Sequence, residues 1–157
     1  LHATLLSDLN LFFLFFISLS ELRCSGPDWY EFGDFCYKPF GDKKTWHDAR
    51  RMCRNLGGGN LASIDMSYDQ AFVAGAVLQG KADAWIGLRR KDGSYAWSDS
   101  WPVFFTQWGP GEPSNVKDEG CVSMHDGHWN DNNCLLKKGF ACRHRQCKAL
   151  SRPFLQL

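Results

Sequence analysis

An α+β domain tied by disulfides is what the chain predicts, on three observations. Two early stretches carry helical hydrophobic spacing, and several short apolar runs read as strands. Seven Cys and seven Trp stand in 157 residues, which is the mark of a rigid, oxidised domain. The length suits one domain of roughly 100–200 residues. We place it at residues 24–144, after an apolar leader at 1–20 and before a basic tail at 145–157. Lys and Arg number 18 against 17 Asp and Glu, so the basic excess of a nucleic-acid binder is missing. No repeat fills the chain, which argues against a solenoid or propeller.

The run Leu9 to Leu19 carries no charge. It is too short to span a bilayer as a helix, which takes about 20 residues, and fits the apolar core of a secretory leader. Small residues Ser18 and Ser20 close it, although Asp8 and not a basic residue precedes it. Trp29-Tyr30-Glu31-Phe32 alternates and reads as a first strand. Cys36 to Phe40 follows a Gly33-Asp34 turn and reads as its partner, with Pro39 keeping it near an edge. Thr45 caps a helix whose inner face is Trp46, Ala49, Cys53 and Leu56, and Gly57-Gly58-Gly59 ends it. Asn60 to Ile64 is a short strand. Ser67 with Gln70 reads as a capping box opening a second helix to about Leu78. The inner face expected for it is Tyr68, Ala71, Phe72, Gly75 and Leu78. Ala84 to Leu88 is apolar throughout and reads as a core strand, and Tyr95 to Trp97 as another short one. Pro102 to Gly120 lacks periodicity, and a loop that long inside a compact domain is usually functional. Cys121 to Met124 and Gly139 to Cys142 complete the sheet.

The cysteines are Cys24, Cys36, Cys53, Cys121, Cys134, Cys142 and Cys147. No CxxC pair occurs, so zinc-finger and thioredoxin readings lose support. Six cysteines allow fifteen pairings, and sequence alone does not choose among them. Closure of short loops favours Cys24–Cys36 and Cys121–Cys134, leaving Cys53 for Cys142 and Cys147 unpaired. On the chain-entropy account the long loop contributes roughly 4.5 kcal/mol and each short one about 3.

The long loop carries Glu112-Pro113-Ser114-Asn115 and Glu119, and Asn130-Asp131 follow Trp129. These are hard oxygen donors of the kind calcium takes, six to eight at about 2.4 Å. Surface loops are rich in such residues for other reasons too. His125-Asp126-Gly127-His128 reads as turn chemistry and not as a zinc site, since a structural site needs four placed ligands. No Ser-His-Asp or Cys-His set stands in a catalytic context, so an enzyme is not expected. Arg50-Arg51 and Arg89-Arg90-Lys91 read as solvated faces, with contact to an acidic partner as the alternative. No Asn-x-Ser/Thr sequon occurs.

Trp85-Ile86-Gly87-Leu88, Trp97-Ser98-Asp99, Trp108 before Gly111-Glu112-Pro113, and Trp129-Asn130-Asp131 together resemble the C-type lectin domain. So does the order of Cys53, Cys121, Cys134 and Cys142. The match runs from about Cys24 to Cys142. The resemblance implies disulfides Cys53–Cys142 and Cys121–Cys134, with Cys24–Cys36 marking the long form. It implies a cis peptide before Pro113 and an extracellular setting, secreted or in the ectodomain of a membrane receptor. The basic tail is similar to that of one module in a tandem array of the mannose-receptor type. The partners implied are glycans or glycoproteins.

In sugar-binding members a Glu-Pro-Asn tripeptide, a later Glu and the Asn-Asp after Trp hold one Ca2+, and two vicinal sugar hydroxyls complete its shell. Carried over, the metal ligands are Glu112, Ser114, Glu119, Asn130 and Asp131. The carbohydrate contacts are Glu112, Asn115, Glu119 and Asn130. Ser114 departs from the family's Asn: it keeps an oxygen but has no amide N–H. Asn115 replaces it if the loop slips by one residue. Glu112, where galactose-type members carry Gln, points to mannose, fucose or N-acetylglucosamine. Arg89, Arg90, Lys91 and Gly120 stand where members with further ions carry acids, so a single Ca2+ is expected. The competing reading is a calcium-independent, protein-binding domain of the same fold with a degenerate metal site.

Overall fold

The computed structural model describes residues 23–80 and 83–147. The expected leader at 1–20 and the tail beyond Cys147 lie outside the described residues. In chain order the elements are β1 (Tyr30–Phe32), β2 (Phe35–Lys44), α1 (Trp46–Arg54), β3 (Asn60–Leu61) and α2 (Ser67–Phe72). A π-helical turn over Val73–Val77 continues α2. Then come β4 (Ala84–Lys91), β5 (Ser94–Trp97), β6 (Glu119–His125), β7 (His128–Asn133) and β8 (Lys138–Arg145). The sheet runs β1-β2-β8-β4-β6-β7, with β3 on β8 and β5 on β4.

Strand β8 organises the domain. It is antiparallel to β2, from Phe35↔Arg145 to Lys44↔Lys138, and parallel to β4 through Ala84↔Gly139 and Trp85↔Phe140. The two ends of the domain therefore lie side by side, and Gln146 and Cys147 extend the contact by donating their N–H groups to Asp34 and Arg23 carbonyls. Pro39, opposite Ala141, lies beyond the short edge strand β1, whose partners are only Phe35, Cys36 and Tyr37.

Strand β4 is apolar from Ala84 to Leu88 because both its faces are covered there, and turns basic at its exposed end, Arg89 to Lys91. Ala84, Ile86 and Leu88 enter one core with Tyr37, Ile64, Val73, Val122, Met124 and Trp129. Trp85 enters the other, with Trp46, Leu61 and Phe140. Burial of Ile86 and Leu88 is worth roughly 1.5–3 kcal/mol each. Gly87 between them has no room for a side chain, since a Cβ would lie 2.7 Å from the Leu61 carbonyl oxygen. Trp46 Nε1 donates to Ile86 O and Trp85 Nε1 to Lys44 O, each at 2.9 Å, while the buried Trp97 Nε1 has no partner among the described residues.

Helix α1 follows its pattern. Thr45 Oγ1 accepts from the Asp48 N–H at 3.3 Å, and Trp46, Ala49 and Cys53 are the buried face. All three disulfides form: Cys24–Cys36, Cys53–Cys142 and Cys121–Cys134, with Cα separations of 5.7, 5.4 and 5.1 Å. Cys147 is free and exposed.

The second helix differs from expectation. Asp69, not Ser67 with Gln70, serves its N-terminus: the carboxylate accepts the N–H groups of Asp65 and Met66 at 3.2 and 3.1 Å. The inner face is Asp69, Gln70, Val73 and Val77, with Leu78 buried and Phe72 packed on the core as expected, while Tyr68 is 72% exposed and Ala71 and Gly75 are exposed. Apolar character misplaced part of the stripe because two of the buried positions are held by polar side chains, Asp69 and Gln70, kept inside by their hydrogen bonds. Strand β7 was also missed; its sequence, His-Trp-Asn-Asp-Asn-Asn, has low strand propensity.

Candidate functional site

The site is built on the β6–β7 hairpin. Asp126 and Gly127 both have positive φ, 48° and 76°, the geometry of the tight hairpin turn that Asp-Gly favours. Cys121–Cys134 clamps the open end. The register jumps there: Glu119 opposes Asn133 while Cys121 opposes Asn132, so Gly120 is an extra residue in a β-bulge. The bulge re-aims Glu119 at the strand end.

Trp129 is the anchor. It is fully buried, and its Nε1 donates to Gln70 Oε1 at 2.8 Å. Gln70 in turn donates to the Gly127 carbonyl at 2.6 Å, so α2 grips the hairpin turn. Trp97, Trp108 and Phe105 meet the Trp129 ring edge to face, with centroids 5.5, 5.9 and 6.0 Å away. The long loop is then zipped onto β7. Trp129 N–H donates to Gln107 O at 2.8 Å, and Gly109 N–H donates to Trp129 O at 2.9 Å. Space beside Gly109 is tight: a Cβ would lie 3.1 Å from Asn130 Oδ1 and 3.7 Å from Glu112 Cγ. Asn130 and Glu112 thus flank the same point.

Beyond Gly111 the loop turns through the cis Glu112–Pro113 peptide and gathers around Asp131. Asp131 Oδ1 accepts from Ser114 N–H at 2.7 Å and Ser114 Oγ at 2.9 Å. Its Oδ2 accepts from Asn115 N–H at 2.8 Å and Tyr95 Oη at 2.9 Å. A carboxylate offers about four lone-pair sites, and here four protein groups stand at them, Ser114 Oγ with a single proton that Glu119 also faces. Burial acts to raise the Asp131 pKa. The Ser114 N–H, the adjoining Glu112, the Asn115 N–H and the Tyr95 hydroxyl outweigh it and hold the group at about 2. Burial, and then Asp131, push Glu112 upward. Its Oε2 is buried without a donor.

Ser114 Oγ also lies 2.8 Å from Glu119 Oε2. One hydroxyl proton therefore faces two carboxylates. Asn115 takes a left-handed backbone, φ 56°, and turns its amide to Pro113 O at 3.3 Å. Arg90 pins the loop by donating to the carbonyls of Val116 and Lys117 at 2.7 and 3.2 Å. Among the described residues Glu112, Glu119 and Asp131 enter no ion pair.

As a cation site the donor set fits in kind: hard oxygens, formally trianionic, with one acceptor orphaned. Its spacing is looser than a preformed cage. No three Asp, Glu, His or Cys side chains among the described residues stand close enough to hold a metal. The Ser114 hydroxyl occupies the place between Glu119 and Asp131. Tyr95 and Gln70 are the functional positions that sequence reasoning missed. The sequence reads Gln70 as half of a capping box with Ser67 and Tyr95 as an ordinary strand residue, and both lie far in the chain from the Asp131 and Trp129 that they contact.

The model of the "Lectin C-type domain" family matches residues 42–144. A C-type lectin mannose-binding isoform of Oxyuranus scutellatus is 39% identical over 141 residues, covering 82% of this chain and 89% of the relative. C-type mannose receptor 2 of Mus musculus is 36% identical over 129 residues, 78% of this chain and 9% of the receptor. Among solved structures, the C-type carbohydrate-recognition domain of cow CD23, determined in the presence of a GlcNAc2Man3 oligosaccharide, superposes with TM-score 0.69. It shares 34% identity and covers 76% of this chain and 95% of that one. A calcium-independent type II antifreeze protein reaches TM-score 0.72 at 27% identity, covering 78% and 95%.

Proposed function

The chain belongs to the C-type lectin domain family, and on that premise we propose that it binds mannose-, fucose- or N-acetylglucosamine-type glycans with one Ca2+. The site is the Glu112–Glu119 loop against Asn130 and Asp131. One observation carries the reading: a single Ser114 hydroxyl lies between Glu119 and Asp131 at 2.8 and 2.9 Å, with Glu112 Oε2 buried beside them unpaired. Two carboxylates that share one hydroxyl proton, with a third whose buried oxygen has no donor, call for a positive charge. When bound, the ion supplies that charge and open coordination positions for two vicinal hydroxyls. Glu112, Ser114, Glu119, Asn130 and Asp131 are the residues that would hold it.

The chain's own groups do the selecting. Glu112 and Glu119 would accept hydrogen bonds from sugar hydroxyls, and the Asn130 amide would donate to one of them. Asn115, with its amide turned back to Pro113, reaches the sugar only by releasing that bond. We place the protein outside the cell, as a single lectin or as one module of a larger receptor, where its three disulfides persist. Its partners are then glycoproteins.

The caging of Asp131 by four protein donors supports a second reading, a lectin-like domain that works without the ion. The likeness to a calcium-independent antifreeze protein supports it too. Calorimetric titration with Ca2+, followed by mannose-agarose in calcium and then in chelator, separates the two. Saturable calcium binding and chelator-released retention are expected. No heat and no retention of any glycan would establish the second reading.

A further inference from the structure

A second recess, built on α1, β4, β5 and β8, has no part in the site above. It consists of a depression of about 510 Å³ and an adjoining one of about 370 Å³, and Arg50, Ser98 and Ser100 line both. The chain as a whole is nearly neutral, at +1, yet this recess gathers Arg50, Arg54, Arg89, Lys91 and Arg145. None of the five enters an ion pair among the described residues. Arg143 also lines it but is neutralised by Asp65 and Asp99. Asp99, the carboxylate on the wall, is likewise engaged by the Ser63 hydroxyl at 2.5 Å.

The cations crowd one another. Burial and then the charges of Arg54 and Arg89 lower the pKa of Arg50, and burial with Arg89 and Arg50 does the same to the neighbouring His47. Several of the groups are pre-positioned. Arg50 donates from Nε to Asn60 Oδ1 at 3.3 Å and from Nη2 to Ser98 O at 3.2 Å. The Arg145 guanidinium lies 5.4 Å from the centroid of the Trp101 ring, which is 36% exposed. Like charges held together without counter-charge favour an anionic ligand.

We propose that this groove binds a linear sulfated polysaccharide, at a site separate from the loop around Asp131. Four of the five free cations are arginines, whose planar, weakly hydrated fork suits an oxyanion on two N–H groups. Trp101 supplies a flat apolar face of the kind a pyranose ring covers. Two joined recesses suit a chain of repeating charge. A bilayer surface cannot enter them, and an acidic peptide offers carboxylates without the sugar face.

The test uses the protein in EDTA, so that the loop site stays silent, with a heparin dodecasaccharide as the probe in calorimetry. Saturable, salt-sensitive binding is expected. Arg54→Ala with Arg145→Ala should weaken it about tenfold. Arg51→Ala with Lys137→Ala removes the same charge outside the groove and should change it less than about twofold. Equal losses in the two double variants would overturn the proposal. So would polyglutamate or phosphatidylserine vesicles binding as tightly as heparin. Calcium titration of the Arg54/Arg145 variant should match wild type, which keeps this result independent of the lectin reading.

Discussion

The sheet around β8 and the loop around Asp131 are held together by different means. In the sheet, register and apolar burial carry the load: Trp46, Trp85, Phe140 and Leu61 close on the Cys53–Cys142 bond. In the loop, no run of apolar side chains is buried after Gly109, and Pro110 to Lys117 converges instead on one carboxylate through two backbone N–H groups and the Ser114 hydroxyl, joined there by the Tyr95 hydroxyl from β5. Apolar contacts tolerate the loss of any one member. A polar hub does not, because its satellites lose their common partner at once. The scaffold should therefore survive changes that dismantle the loop, while the loop should not survive loss of the scaffold.

The largest effect expected is from Cys53→Ala with Cys142→Ala. The closed loop spans 89 residues, so the chain-entropy account assigns the bond about 4–5 kcal/mol. Chemical denaturation should show that loss, with loop and sheet unfolding together. If the Ser114 and Asn115 amides kept their hydrogen-exchange protection in that variant, the loop would be independent of the sheet and the contrast would fail.

Gln70→Leu comes next. It leaves the Trp129 indole N–H buried without a partner and takes the donor from the half-buried Gly127 carbonyl, at a cost of about 1–3 kcal/mol. Trp129 is the hinge between the two regions, so near-ultraviolet circular dichroism should change along with stability. An unchanged spectrum and midpoint would show that the apolar packing of Trp97, Phe105 and Trp108 suffices to seat the ring.

The same contrast explains what the sequence displayed. Helix α1 and strand β4 were legible because their burial is apolar and periodic, as with Trp46, Ala49 and Cys53. The face of α2 was not, since Gln70 is inside for its hydrogen bonds and Tyr68 is outside despite its ring. In the site, Glu112, Glu119, Asn130 and Asp131 could be named because they sit in short motifs. Tyr95 could not. It lies on β5, and its hydroxyl reaches Asp131 through a cross-sheet arrangement that depends on the β4–β5 hairpin and the Trp108 contact at 4.9 Å. The role of Ser114 as a hydroxyl shared by two carboxylates depends on the bulge at Gly120, which no local pattern announces.

Asp131→Asn probes the hub alone. The amide can accept on one side only, so at least one of the four donors loses its partner, a cost of about 1–3 kcal/mol. Exchange protection should fall at the Ser114 and Asn115 amides and stay intact in β2, β4 and β8. Calcium binding, if the lectin reading is right, should vanish in the same variant. Uniform loss of protection across the sheet would mean that Asp131 belongs to the core and not to the loop.

The smallest effect on stability, and the sharpest on function, is expected at Ser114. Ser114→Ala removes the hydroxyl between Glu119 and Asp131 but keeps the backbone N–H to Asp131, so the fold should lose only about 0.5–1.5 kcal/mol. Ser114→Asn adds the carbonyl oxygen and amide donor found in the mannose-type tripeptide of the family. On the calcium reading, Ser114→Asn tightens calcium and mannose binding, and Ser114→Ala weakens both. On the ion-free reading, neither variant binds calcium, and Ser114→Ala leaves Glu119 and Asp131 repelling each other across an unfilled gap. Its loop would then exchange faster as salt is lowered and the repulsion is less screened. Calcium calorimetry on the two variants, with loop exchange measured at low and high salt, separates these outcomes at a position where the sheet takes no part.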